Sequence, residues 1–244
     1  KTSTKIIQPK PLHDIKNNDV NGRGILERNH AGLLCHHKVI TYDMKQTCSL
    51  PKQPYIHWWS KEEIEIYKNS ITIGDFGTAR VGMQTGDNNR FVRHVWEISP
   101  DIYINNFAHK HVHHLNHCSW VPYIKGAKQK MWIEPLEHVL WCNLFFLEIL
   151  LLKGSRVQNR DFYFRHGISY STIGNTFRTR VHRFRSVIDV SGSSVFLHEI
   201  DPEEGCCSLN SLRPTKIVQD LNPTQNFQVS DIKRVPFEHQ PHYK

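Results

Sequence analysis

Apolar and polar positions change their period several times along the chain, and each change predicts an element. Residues 1–50 hold no sustained period: Pro9, Pro11, Gly22, Gly24 and Gly32 punctuate a polar stretch, which predicts an extended lead-in with weak local structure. From Ser60 the segment SKEEIEIYKNS sets Ser60 and Glu63 at capping-box spacing with an acidic first turn, so a short helix is expected. In ITIGDFGTARVGMQTGDNNRFVRHVWEI, Ile71 and Ile73 alternate with polar neighbours, Gly86-Asp87 supplies a turn, and Phe91, Val92, Val95 and Trp96 resume the pattern. That pattern predicts strand, turn and strand.

The run VLWCNLFFLEILLL, residues 139–152, carries Asn143 and Glu148 and is shorter than the roughly 20 apolar residues of a bilayer-spanning helix. It reads as a buried helix or a strand-helix transition. Further on, HGISYSTIGNTFRTRVHRFRSVIDVSG is rich in β-branched and aromatic residues, with turns at Gly174-Asn175 and Ser191-Gly192, and predicts two or three strands. Leu209, Leu212, Ile217, Val218 and Leu221 form a helical stripe kinked at Pro214 and ended by Asn222-Pro223. The coarse expectation is an α+β (mixed α/β) fold with largely antiparallel strands and a few helices. Residues 1–57 form a lead-in, partly disordered or a linker remnant; 58–238 form the main domain, and 239–244 a tail.

Composition narrows the function. A length of 244 residues suffices for one large or two small domains, and 39% hydrophobic with 22% charged residues is ordinary for a globular chain. Lys and Arg number 31 against 23 Asp and Glu, a formal charge of +8, with 17 histidines besides. Such a surface suits a polyanionic partner, or serves solubility alone. The six cysteines, Cys35, Cys48, Cys118, Cys142, Cys206 and Cys207, lack C-x-x-C spacing, which fits reduced thiols in a cytoplasmic protein better than a disulfide scaffold or a zinc ribbon. The N-terminus shows neither an apolar signal core nor an initiating Met, so a fragment of a longer chain is expected.

Three segments carry candidate chemistry. Thr85, Asn88 and Asn89 offer groups for phosphates or base edges, with Arg80, Arg90 and Arg93 beside them, although Asp87, Asn88 and Asn89 could equally close a hairpin through Asx turns. Arg165, Arg178, Arg180, Arg183 and Arg185 interleave with Tyr163, Phe164, Tyr170, Phe177 and Phe184, a pattern of phosphate contact and stacking or of solvated strand faces over core aromatics. In WVPYIKGAKQKMW, Lys125, Lys128 and Lys130 flank Gly126. A rival reading is a histidine-rich metal-binding protein or metal-dependent nuclease. His113 and His117 stand at i, i+4 spacing with Cys118 or His109 as a third ligand, yet the stretch HHLNH lacks the carboxylate of a zinc protease, and nothing supplies a nuclease acidic pair with Glu-x-Lys.

Taken in order, these motifs resemble those of the PglX-type adenine-specific DNA methyltransferases of BREX phage-defence systems, related to type IIG restriction-modification enzymes. The matching segments are VGMQTGDNNRFVR, WVPYIKGAKQKMW, SRVQNRDFYFRHGISYS, FRTRVHRFRSVIDVSG and LNPTQNFQVSDIKRVP, together covering about residues 58–238. Ile124 replaces the family's Asn, Ala127 its second Gly, and Gln129-Lys130-Met131 its basic-aromatic step. The apolar run at 139–152 replaces a region that is usually polar in the family, and the histidines at 109–118 occupy a variable stretch.

The resemblance implies that residues 58–238 form a DNA target-recognition domain, lying C-terminal to a methyl-transfer domain in the full-length enzymes. The DNA-binding positions it implies are Arg80, Thr85, Asn88, Asn89, Arg90, Arg93, Tyr123, Lys125, Lys130, Arg156, Asn159, Arg178, Arg180, Asn222 and Asn226. Among them Arg90, Arg93, Lys125, Arg178 and Arg180 would set register on the backbone, and the domain would help to hold a flipped base. No catalytic residue is expected: the sequence has no N-P-P-Y tetrapeptide, only Asn222-Pro223-Thr224, and GDFGTA lacks the second glycine of an F-x-G-x-G loop. S-adenosylmethionine is implied for the separate catalytic domain, and the implied partners are double-stranded DNA and that domain.

Overall fold

Ser60 starts the first helix as its sequence requires. The Ser60 N–H donates to Glu63 Oε2 at 2.7 Å and the Glu63 N–H donates to Ser60 Oγ at 3.1 Å, two reciprocal bonds that satisfy otherwise orphaned amides. The helix α1, Lys61–Lys68, buries Ile64 and Tyr67, and Trp59 packs edge-on against Tyr67 with ring centroids 5.1 Å apart. This computed structural model describes residues 3–9, 36–43, 45, 48–54, 56, 58–103, 119–127, 130–142 and 152–237. The chain divides into two units, Lys1–Lys68 and Asn69–Lys244.

In the first unit, β1 (Ser3–Pro9) and β2 (His36–Asp43) pair antiparallel, with Ser3 opposite Asp43. The sequence shows no period there, because the ladder is a long-range backbone pairing with no alternation to announce it.

The second unit holds two sheets. The first runs in the order β10 (Val187–Ile188), β5 (Ser119–Ile124), β7 (His138–Cys142), β4 (Val92–His94). The second runs β3 (Gly77–Arg80), β11 (Ser194–Leu197), β8 (Gly167–Tyr170), β9 (Thr179–His182), β6 (Trp132–Ile133). Pairings are antiparallel except β10 with β5 and β6 with β9. The helices are α2 (Ile73–Phe76), α3 (Asn88–Phe91), α4 (Pro202–Leu209), α5 (Leu212–Leu221) and α6 (Val229–Ile232). The architecture is therefore α+β with mostly antiparallel strands.

Three local expectations are corrected. The alternation at Ile71 and Ile73 does not make a strand: Thr72 caps α2 by donating its N–H to Asp75 Oδ2 at 2.7 Å, and the strand begins only at Gly77. Nor do the flanks of Gly86 form a hairpin, because β3 and β4 enter different sheets. The helical stripe near the C-terminus is two helices, broken between Leu209 and Leu212, and Pro214 lies in the first turn of α5, where its missing N–H costs nothing. Of the apolar run at 139–152, the described part completes β7, and no helix among the described residues is long and apolar enough to cross a membrane.

Each sheet has its own core. Met83, Phe91, Val121, Ile124, Leu140, Tyr163 and Ile188 pack on the first. Ile168, Phe177, Val195, Leu209, Val218, Phe227 and Ile232 fill the space between the second sheet and the C-terminal helices. At the edge of that second core Arg180 Nε donates to Glu134 Oε2 at 2.6 Å, with both side chains almost fully enclosed. Burial pushes the Glu134 carboxyl up, against the opposing pull of Arg180 and the Ser169 hydroxyl. Removing one partner strands a buried charge. Arg180→Met is expected to lower the unfolding free energy by about 3 to 5 kcal/mol in urea denaturation, and Glu134→Met with Arg180→Met to recover most of that loss.

On the same strand, burial and then the nearby His166 drive His182 down to about 3. The unfolded imidazole takes up a proton that the folded one refuses, so stability is full above the ordinary histidine value of about 6.5 and falls as pH drops toward 3. Tm measured from pH 8 to 5 is expected to decline less in His182→Phe, by the equivalent of about 2 kcal/mol.

Candidate nucleic-acid interface

The TGDNN turn owes its shape to Gly86, whose φ of 78° is left-handed and where an added Cβ would stand 2.9 Å from the Ser155 amide nitrogen. Asp87 then caps α3, its Oδ1 accepting the Arg90 N–H at 3.1 Å. The buried Thr85 hydroxyl donates to Asn88 Oδ1 at 2.8 Å, which occupies the carbonyl end of that amide and leaves its NH2 as the free donor. Arg93 is pinned by Nη1, which donates to the carbonyls of Asn89 at 2.5 Å and Val92 at 2.8 Å, and its guanidinium lies 5.9 Å from the Trp120 ring centre.

Strand pairing brings a second motif to this one. β4 and β5 flank β7, with Arg93 opposite Val139 and Tyr123 opposite His138. Lys125 follows β5 and reaches over the Tyr123 ring at 5.8 Å. Asn88, Asn89, Val92, Arg93, His94, Glu97, Lys125 and His138 line one open cleft of about 350 Å³. The cleft presents amide groups and two formal cations against a single carboxylate. Burial, then the adjacent His94 and Lys125, lower His138, so its ring is neutral near pH 7.

The remaining expected site residues fall into other roles. Arg90 is exposed on α3 beside the cleft, its guanidinium 4.9 Å from the Phe91 ring centre. Arg80 lies on the other sheet, over Phe162 at 4.8 Å. Lys130 pairs with Glu137, and Arg178 turns its Nη1 to the Met131 sulfur. Arg156 is exposed while its backbone exchanges hydrogen bonds with Gln84 at 2.8 and 2.9 Å. Asn159, left-handed with φ 54°, donates to the Val81 carbonyl at 2.9 Å. Asn222 donates to Asp231 Oδ2 at 2.8 Å and to the carbonyl of the exposed Asn226 at 2.9 Å. Arg180, taken from sequence as a backbone contact, is enclosed in its ion pair and has no surface to offer a phosphate.

Tyr123 is likewise enclosed, its hydroxyl donating to Asp189 Oδ2. Burial first, then the Asp189 carboxylate, hold that phenol well above its ordinary value, so it remains a donor. The other Asp189 oxygen accepts the Ser191 N–H at 2.8 Å and the Ser191 hydroxyl.

Sequence reasoning missed His94, Glu97 and His138, which join the cleft only through the pairing of β4 with β7. His113, His117 and Cys118 lie outside the described residues, among which no group of three His, Cys, Asp or Glu side chains could hold a metal ion.

No family model matches the chain. Over 214 residues it is 27% identical to the Adenine-specific methyltransferase PglX of Lacticaseibacillus casei (strain Zhang), an alignment that takes in 82% of the chain and 18% of that relative. The likeness supports a methyltransferase-related family, of whose relative the chain spans only a small part.

Because Tyr123 caps a buried carboxylate, Tyr123→Phe is expected to cost about 1.5 to 3 kcal/mol of stability. Chemical denaturation followed by tryptophan fluorescence measures that loss.

Proposed function

We propose that the chain recognises duplex DNA as the target-recognition part of an adenine-specific DNA methyltransferase, acting in the cytoplasm as part of phage defence of the BREX type. Methyl transfer belongs to a separate catalytic domain, of the same or a neighbouring polypeptide, which uses S-adenosylmethionine. The observation that carries this reading is the cleft at the end of the first sheet, where Asn88 and Asn89 stand beside Arg93 and Lys125. Its physical logic is a division of labour: cations bind phosphate without regard to sequence, and amides positioned beside them read base edges. The similarity to a protein named as an adenine-specific methyltransferase supports DNA as the substrate. The recognising body in this proposal lies within residues 58–238.

Selection of bound molecules from random duplexes, with a salt titration alongside, tests the proposal. An enriched motif with salt-sensitive affinity is the expected result, and absence of any duplex binding sinks it. Arg93→Ala with Lys125→Ala should weaken binding about tenfold on every sequence and flatten the slope of log K against log salt by about 2. Asn88→Ala or Asn89→Ala should instead relax the enriched motif at one or two positions.

A further inference from the structure

Beside the cleft, the 3-10 turn Val95–Glu97 presents Trp96 to solvent at 70% exposure. Exposed single apolar residues are common and need no function. What sets Trp96 apart is its backing. Its ring lies parallel to that of His94 within 9°, with centroids 4.3 Å apart, and His94 in turn lies 4.9 Å from the His138 ring. A parallel ring at that distance covers one indole face, so the exposed area belongs to the other face and the edges.

The turn beneath the rings is hydrogen-bonded in two places. The His94 N–H donates to Glu97 Oε2 at 2.7 Å, and the Val95 N–H donates to the Glu137 carbonyl at 3.1 Å, which ties the turn to the chain entering β7. His94, Glu97 and His138 all line the cleft that holds Arg93 and Lys125. An aromatic face held flat, open on one side and next to phosphate-binding cations, matches the chemistry of a nucleobase with a free π-face. Bases paired inside a duplex have their faces covered by neighbours, so the matching ligand is a base that has left the stack.

We infer that Trp96, backed by His94 and His138, is a stacking platform for an unpaired nucleobase of the DNA bound in the adjacent cleft. The inference rests on the proposed DNA-recognition function and adds to it the residue that would take the base. Arg93 and Lys125 hold the phosphates while the indole takes the base face. The platform thus favours DNA that is locally opened over a perfect duplex.

The test uses the full chain with three probes: a matched duplex, the same duplex carrying one unpaired 2-aminopurine, and the corresponding single strand. The wild-type chain is expected to bind the bulged duplex about tenfold more tightly than the matched one, with 2-aminopurine fluorescence quenched on binding. Trp96→Ala should abolish both the preference and the quenching while keeping affinity for the matched duplex, and Trp96→Phe should retain part of each. Because the side chain is largely solvent-exposed, both variants should unfold at the wild-type midpoint. Equal affinity for matched and bulged duplexes, or a preference that survives in Trp96→Ala, overturns the platform and leaves the recognition function standing. Failure to bind any of the three probes overturns both.

Discussion

Four residues, Ile188 to Ser191, hold two other stretches of the chain in place, and the arrangement of the candidate site depends on them. The Met83 N–H donates to the Ile188 carbonyl at 2.8 Å and the Val190 N–H returns to Met83 at 2.9 Å, while the Asp189 N–H donates to Ile124 at 2.8 Å. The Asp189 carboxylate gathers the Tyr123 phenol and both Ser191 donors. Ile188 and Asp189 are buried, so their polar groups left unpaired would carry a full desolvation penalty. The pairing also leaves no room for side chains at the crossing. A Cβ on Gly126 would stand 2.8 Å from the Ser191 carbonyl oxygen. The loop carrying Lys125 and the segment leading to Asn88 are thereby fixed against one seam.

That fixation gives the cleft its chemistry. Arg93 is a long, flexible side chain whose ordering normally costs conformational entropy, yet two backbone carbonyls of its own turn hold it before any ligand arrives. Asn88 is held by Thr85 in the same way. Groups set in advance on rigid elements discriminate between ligands better than groups that must be ordered on binding.

Several residues that carry the family resemblance spend their polar groups on bonds within the protein. Asn159, Tyr123, Asn222 and Arg180 each satisfy a backbone carbonyl or a carboxylate of the same chain. Polar residues within a motif are easily read as ligand contacts, but a buried carbonyl or carboxylate needs a partner as urgently as a phosphate does. The resemblance therefore speaks first to how the chain folds. The open cleft takes up only part of the motif, and its lining includes side chains that the motif does not mark, such as Glu97 and His138.

What the sequence determined by itself is local. The Ser60 to Glu63 box, the turn at Gly86 and the end of the helix at Asn222 depend on residues a few positions apart, whose hydrogen bonds and allowed φ values are set before any tertiary contact forms. Tertiary structure decided which strands become neighbours. It sent β3 and β4 to separate sheets, paired β1 with β2 across a stretch without a period, and split the C-terminal stripe into two helices. It also decided which cations face water: Arg180 and Arg93 look alike in sequence, but a carboxylate 46 positions away encloses one, while backbone carbonyls close by hold the other at a cleft. A side chain's burial depends on partners remote in the chain, and no local pattern of residues encodes where those partners lie.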